Sequence, residues 1–327
     1  MKRESRWIAG AQIMVHRLSS DLPGKKVVIT ANLHGDECTG IGVVQRLLDQ
    51  HLELQSGELI LYPSLNPKGL KERSRYFPQG KTDLNRLFPG KRRGSAAEQH
   101  LHHVWNSIVS HRPDVLIDLH TDSGDSIPYL LVDRVLSGSD SRSLEQRCWN
   151  LAQGSGIFSV WEYPSLLYRS YRLDCSLAGI AMNKLRIPAM TLEVGPRRRI
   201  DLNAVERTLR SLYHWFKALN LIGEDHYQDL IRDQGLRIDP QSLNYTFPAG
   251  NWRRHLASTI TGEGIFVPSV VAGTILDGGQ ELGVLYDQHG SILQRVLTKN
   301  RVVVLSFSDC AYLTSGQSPA TLAIAED

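Results

Sequence analysis

The chain has 327 residues, enough to bury a full core in one large domain or two unequal ones. Its 37 Lys and Arg against 34 Asp and Glu leave a formal charge of +3, which gives no ground for a nucleic-acid or membrane partner. No stretch approaches the ~20 apolar residues of a membrane span, and no signal-peptide core follows Lys2 and Arg3. The four cysteines, Cys38, Cys148, Cys175 and Cys310, lack paired spacing, which argues against a disulfide framework and for a reducing cytoplasm.

In chain order, 26–32 (KVVITAN) is a short β-branched run that predicts a buried strand, and Ile41, Val44, Leu47 and Leu48 follow at helical spacing. A second strand is predicted over 58–63. Ser95 and Glu98 form a capping box ahead of Leu101, Val104, Trp105 and Ile108, which predicts a helix start. Further buried strands are predicted over 115–119 and 189–194. Asn203 and Glu206 repeat the cap signature before Val205, Leu209, Leu212, Trp215 and Phe216. Strands alternating with helices imply an α/β fold, a mostly parallel or mixed sheet flanked by helices.

Beyond about residue 225 the pattern changes. From Tyr245 onward short apolar runs alternate with turn signals at Asp277-Gly278-Gly279, His289-Gly290, Lys299-Asn300 and Ser315-Gly316. This predicts a smaller C-terminal all-β domain. The expected division is a catalytic domain over 1–225, then a linker and β-rich domain over 226–327. Basic residues cluster at Lys91-Arg92-Arg93 and Arg197-Arg198-Arg199; such runs are usually solvated faces, though either could attract an anionic substrate.

Four short segments carry chemistry. His34 and Glu37 follow the first predicted strand three residues apart, with Gly35 allowing the backbone to bend between them. Ligands in open α/β sheets gather at the carboxyl ends of strands. A buried loop histidine beside a solvated glutamate would give the same H-x-x-E, so this segment alone settles nothing. His120 ends the VLIDLH run at another strand's carboxyl end. Together the three make a His₂Glu set with a fourth position open to water, as catalytic zinc requires. Glu193 lies in an otherwise apolar strand, where a carboxylate is costly unless a partner or a function explains it. Asp83-Leu84-Asn85-Arg86 precedes a Pro89-Gly90 turn; its Asn and Arg offer a planar grip on a carboxylate.

HGDE, DLNRLFPG, DLH and TLEVG, in this order, resemble the succinylglutamate desuccinylase/aspartoacylase family of carboxypeptidase-like zinc hydrolases over roughly residues 27 to 225. The resemblance implies one Zn²⁺ per chain held by His34, Glu37 and His120. Asp83 matches the carboxylate that orients the first histidine, a partner that fixes the tautomer. Asn85 and Arg86 match the pair holding the substrate's carboxylate, and Glu193 matches the general base. Arg75 corresponds to the arginine that polarises the scissile carbonyl, with Arg73 a rival. The tail resembles the family's C-terminal barrel-sandwich domain. The implied reaction is hydrolysis of the amide bond of a small anionic N-acyl amino acid. A carboxypeptidase-like peptidase acting on short peptides, or a metal-binding protein without catalysis, stays open. A homo-oligomer is compatible with the sequence, which sets no number of copies. Loop residues 162–174, with Arg169 and Arg172, are candidate contacts for specificity.

Overall fold

The apolar strands read from the sequence form the centre of one large mixed sheet. The computed structural model describes residues 2–232, 247 and 250–326; residues 233–246 of the expected linker, Tyr245 included, lie outside the described residues. A hairpin of β1 (Lys2–Ile8) and β2 (Ile13–Ser19) leads into β3 (Lys26–Ala31), α1 (Thr39–Asp49), β4 (Glu58–Tyr62), α2 (Pro67–Glu72), α3 (Ala96–Ser110) and β5 (Val115–His120). Next come β6 (Asp125–Ser126), β7 (Tyr129–Val132), α4 (Ser141–Gln153), β8 (Ser159–Trp161), α5 (Ser165–Ser170), α6 (Leu177–Ile180), β9 (Ala189–Glu193), α7 (Leu202–Ala218) and α8 (Glu224–Arg232). The later described elements are strands: β10 (Asn251–Leu256), β11 (Gly264–Pro268), β12 (Ile275–Leu276), β13 (Glu281–Tyr286), β14 (Ile292–Leu297), β15 (Val302–Phe307), β16 (Tyr312–Leu313) and β17 (Ala320–Glu326).

The main sheet runs β1-β2-β4-β3-β5-β9-β7-β8-β10-β17-β15-β12. Its centre, β4-β3-β5-β9, is parallel. Every residue of β5 is buried, which is why this strand reads as a continuous apolar run rather than an alternation. Helices α1 and α7 pack on each other, and α4 packs against β7, β8 and β9. From β3 the chain steps to β4 on one side and later to β5 on the other. That reversal opens a crevice at the carboxyl ends of β3 and β5, where doubly wound folds place ligands.

One local expectation needs correction. The Ser95–Glu98 capping box is present as read, but α7 starts two residues earlier than its expected Asn203 cap implied. Asp201 is the cap, accepting from the Ala204 N–H, and Asn203 lies inside the helix. The hairpin strand β1 gave no apolar signal because nearly all of it is exposed. Among the described residues no helix is long and apolar enough to cross a membrane.

The C-terminal strands form the expected β-rich region, with a separate antiparallel sheet ordered β14-β13-β11-β16. They also extend the main sheet: β10 pairs with β8 at Arg253 and Trp161, and β15 pairs with β6. One apolar cluster therefore mixes Ile127, Tyr129, Leu131, Phe158 and Val160 with Trp252, Val303, Leu305 and Ala323. Each large side chain buried there contributes roughly 1.5–3 kcal/mol. A chain cut to residues 1–232 is expected to expose this surface, bind a hydrophobic dye and aggregate. A monodisperse fragment with the full-length melting temperature would show that the cluster is dispensable.

Candidate active site

The crevice is organised by Asn32. It takes a left-handed conformation (φ 56°), which Asn tolerates better than most residues. Its Nδ2 donates to the carbonyls of His34, Gly35 and Glu37 at 2.9, 3.2 and 3.0 Å, while Ser64 Oγ donates to its Oδ1 at 2.6 Å. This clamp curls the loop after β3 so that His34 and Glu37 face the same point. Gly35 is needed for proximity, since a Cβ there would lie 2.0 Å from the Gly69 carbonyl carbon and 2.3 Å from Leu70 N.

Glu37 is the hub. His34 Nδ1 approaches its Oε1 at 2.8 Å and His120 Nδ1 its Oε2 at 2.8 Å. The Thr121 N–H donates to Oε2 at 3.0 Å and Arg75 to Oε1 at 3.2 Å. The other nitrogen of each imidazole meets a carboxylate, His34 Nε2 at Asp83 Oδ1 (3.0 Å) and His120 Nε2 at Asp118 Oδ2 (2.8 Å). Asp118 is itself steadied by Thr30 Oγ1 at 2.6 Å. Carboxylates accept only, so both Nε2 atoms carry protons and both Nδ1 atoms turn toward Glu37.

Burial would raise the Glu37 carboxyl, but the two histidines outweigh it and hold the group well below its usual range. Burial would likewise lower His120; Asp118 and Glu37 reverse that and raise it well above an ordinary histidine. The centre thus demands positive charge. Ligand atoms of His34, Glu37 and His120 lie within 4.8 Å of one another, and all three residues are buried. A divalent cation fits this donor set, taking the place of the protons between Nδ1 and carboxylate.

The surrounding pocket, about 180 Å³, includes Arg75, Asn85, Arg86 and Glu193 in its lining. Asp83 sits behind it, bonded to Arg75 at 3.1 Å and to the Asn85 N–H at 2.9 Å. Asn85 Oδ1 accepts from the Leu177 N–H at 2.8 Å. Arg86 donates to the Asn85 carbonyl at 2.7 Å. Arg73, the rival of Arg75, is exposed at the C-cap of α2. At the end of β9, Glu193 pairs in register with His120 on β5 and Tyr129 on β7. Its Oε2 is buried and has no hydrogen-bond partner among the described residues. Burial and then Asp122 push its carboxyl up to about 8, against the pull of His120.

Several lining residues escaped the sequence reading. Asp122 accepts from Tyr129 Oη at 2.6 Å and from Ser306 Oγ, on β15, at 2.5 Å. Asp133 and Arg254 line the pocket too. Asp133 follows an apolar run, a signal close to the one that marked Glu193. Loop 162–174 supplies Glu162 and Leu173 to the lining, while Arg169 and Arg172 are exposed. The basic run at 197–199 divides: Arg197 turns inward to Asp309 at 3.1 Å and Asp36 at 3.7 Å, and the other two stay exposed.

The sequence profile of the succinylglutamate desuccinylase/aspartoacylase catalytic domain matches residues 23–219. An N-alpha-acetyl-L-2,4-diaminobutyric acid deacetylase of Halomonas elongata is 30% identical over 129 residues, covering 38% of this chain and 37% of that protein. A succinylglutamate desuccinylase of Pseudomonas fluorescens is 26% identical over 212 residues, covering 61% of this chain and 58% of its own. The chain therefore matches less than two thirds of the length of both. The crystal structure of a succinylglutamate desuccinylase/aspartoacylase from Rhodobacter sphaeroides superposes with a TM-score of 0.77 at 19% identity, covering 97% of this chain and 90% of that one.

Removing the Asp118 carboxylate as Asp118→Ala is expected to weaken affinity for a divalent cation by roughly ten- to a hundredfold, since His120 loses the partner that sets its tautomer. Competition against a chromogenic chelator measures this; unchanged affinity would mean that Asp118 does not orient the ring.

Proposed function

We propose, from the premise that the chain belongs to the succinylglutamate desuccinylase/aspartoacylase family, that it is a zinc-dependent hydrolase cleaving the amide bond of an N-acyl amino acid. One observation carries the reading: two imidazole Nδ1 atoms and Glu37 converge within a pocket that also holds Glu193 Oε2, which has no hydrogen-bond partner among the described residues. Both relatives named above are called after N-acyl amino acids, one acetylated and one succinylated. The substrate class comes from them, the particular acid does not.

Bound by His34, Glu37 and His120, one zinc ion per chain would supply Lewis-acid activation of water and of the scissile carbonyl. Asp83 and Asp118 keep the imidazoles turned toward it. Glu193 takes the proton of the attacking water at Oε2 and hands it to the departing amine. His120 draws Glu193 toward its ionised, proton-accepting form, and a bound cation would add to that pull. Arg75, fixed between Glu37 and Asp83, steadies the negative charge that grows on the carbonyl oxygen. Asn85 and Arg86 hold the substrate's free carboxylate, so the amide is presented in one orientation. The pocket's small volume favours a compact acyl amino acid over a longer peptide. The four free cysteines agree with a cytoplasmic setting.

Glu193→Gln is expected to keep zinc at one ion per chain while turnover of acylated amino acids falls by roughly 10²–10⁴, the usual share of a general base. Near-normal turnover would remove Glu193 from the mechanism. A chelator should abolish activity and added zinc restore it; activity that survives complete metal removal would sink the zinc reading. Arg86→Ala should raise KM about tenfold or more with a smaller change in kcat, read from initial rates.

A further inference from the structure

Strand β10 brings an arginine into the pocket from the C-terminal region. Its Arg253 lies opposite Trp161 on β8, which sets Arg254 beside Glu162. Trp252, two residues back and so on the same face of the strand, is buried in the apolar cluster with Tyr129 and Leu131. Arg254 lines the pocket as Arg86 does. Burial lowers the Arg86 guanidinium, Asp83 opposes that, and Arg75 and Arg254 add to it, so Arg86 and Arg254 stand within reach of each other's charge.

Neither of these two guanidiniums is saturated. Arg254 donates from Nη1 to Glu162 Oε1 at 2.7 Å and lies over the Tyr163 ring at 5.2 Å. Its Nε is buried with no acceptor among the described residues. Arg86 donates to the Asn85 carbonyl at 2.7 Å, a backbone oxygen without charge. Nearby acceptors are already taken: Glu162 Oε2 by the Tyr163 N–H, Asp122 Oδ2 by Tyr129 and Ser306, and Asp133 Oδ1 by Tyr168 Oη. Burial and then Glu162 push the Asp133 carboxyl up to about 8, so at neutral pH it adds little negative charge. The other arginines of the lining have ion pairs, Arg75 with Glu37 and Asp83, and Arg197 with Asp309. A buried N–H is rarely left without a partner, and the guanidinium fork matches a carboxylate. What Arg86 and Arg254 lack is an anionic oxygen ligand between them.

We propose that Arg254 is a specificity-determining residue of the substrate site: its Nε joins Arg86 in gripping the substrate's free carboxylate, so strand β10 supplies half of the anion receptor. This rests on the deacylase reading for the kind of substrate and on the pocket alone for the anion. One carboxylate can accept from both arginines, one at each oxygen, and its charge offsets the repulsion between them. A carboxamide of the same shape offers one neutral oxygen and sets its NH₂ against the other guanidinium, so the pair discriminates between the two.

The test is calorimetric binding of L-norvaline and L-norvalinamide to the zinc-loaded protein, alongside initial rates with Nα-acetyl-L-norvaline. Norvaline is expected to bind about tenfold or more tighter than its amide, as hydrogen bonds between charged partners require. Arg254→Gln should weaken norvaline about tenfold, leave the amide within about twofold, and act on hydrolysis through KM rather than kcat. Arg254→Lys, which keeps the charge beside Glu162 but not the Nε–H, should recover part of the loss. Equal weakening of both ligands would mark a structural role and overturn the proposal, as would a wild-type protein that does not prefer norvaline. Carboxylate preference that vanishes in Arg254→Gln, with no hydrolysis of any acyl amino acid, would uphold Arg254 and overturn the deacylase reading. Hydrolysis with KM unchanged in Arg254→Gln would do the reverse. If neither variant folds, a crystal structure of the wild-type protein with norvaline decides: a carboxylate oxygen in hydrogen-bond range of Arg254 Nε upholds the grip, and an Nε still without an acceptor overturns it.

Discussion

A single buried carboxylate, Glu37, sets the terms for the rest of the centre. At 2% exposure it would be costly to keep charged without compensation. It is compensated by four donors from three parts of the chain: His34 in its own loop, His120 and the Thr121 N–H at the end of β5, and Arg75 after α2. The Asn32 clamp and the tight fit of Gly35 against α2 hold the hub still. Each imidazole is then pinned from behind by a second carboxylate, Asp83 or Asp118, so neither ring can turn its Nδ1 away. Acidic groups surround two histidines on every side, and that surplus of negative charge is the physical reason a divalent cation suits the site.

The same logic extends down the pocket. Arginines and carboxylates share one lining, with Arg75, Arg86 and Arg254 set among Glu37, Glu193 and Glu162. Asp122 is held by Tyr129 and by Ser306 from β15, and it raises the Glu193 carboxyl. The C-terminal strands therefore help build the pocket: β15 steadies Asp122, β10 delivers Arg254, and Asp309 takes the Arg197 ion pair. They do this because their apolar faces share a cluster with β7 and β8.

Family membership and fold agree here despite low identity. A structure at 19% identity superposes over nearly the whole chain, which is what close-packed α/β architecture permits when hydrophobic patterning is kept and individual side chains drift.

Sequence by itself determined the elements whose signals are local. The buried strands of the parallel centre, the Ser95–Glu98 cap and the C-terminal turns each follow from nearest-neighbour chemistry, as does the placing of His34, His120 and Glu193 at the carboxyl ends of strands. The three candidate ligands were legible because metal chemistry restricts both residue type and spacing. What only the tertiary structure decided is which distant groups share a space. Asp118 reads as part of an apolar run until His120 is seen turned back onto it. Nothing near Arg254 or Ser306 in sequence marks them as pocket residues, because they reach the pocket by pairing of β10 with β8 and of β15 with β6. Arg73 and Arg75 are indistinguishable two residues apart, yet one ends a helix in solvent and the other faces Glu37. Electrostatic partnership depends on distance in space, and chain order carries that information only where the partners are local.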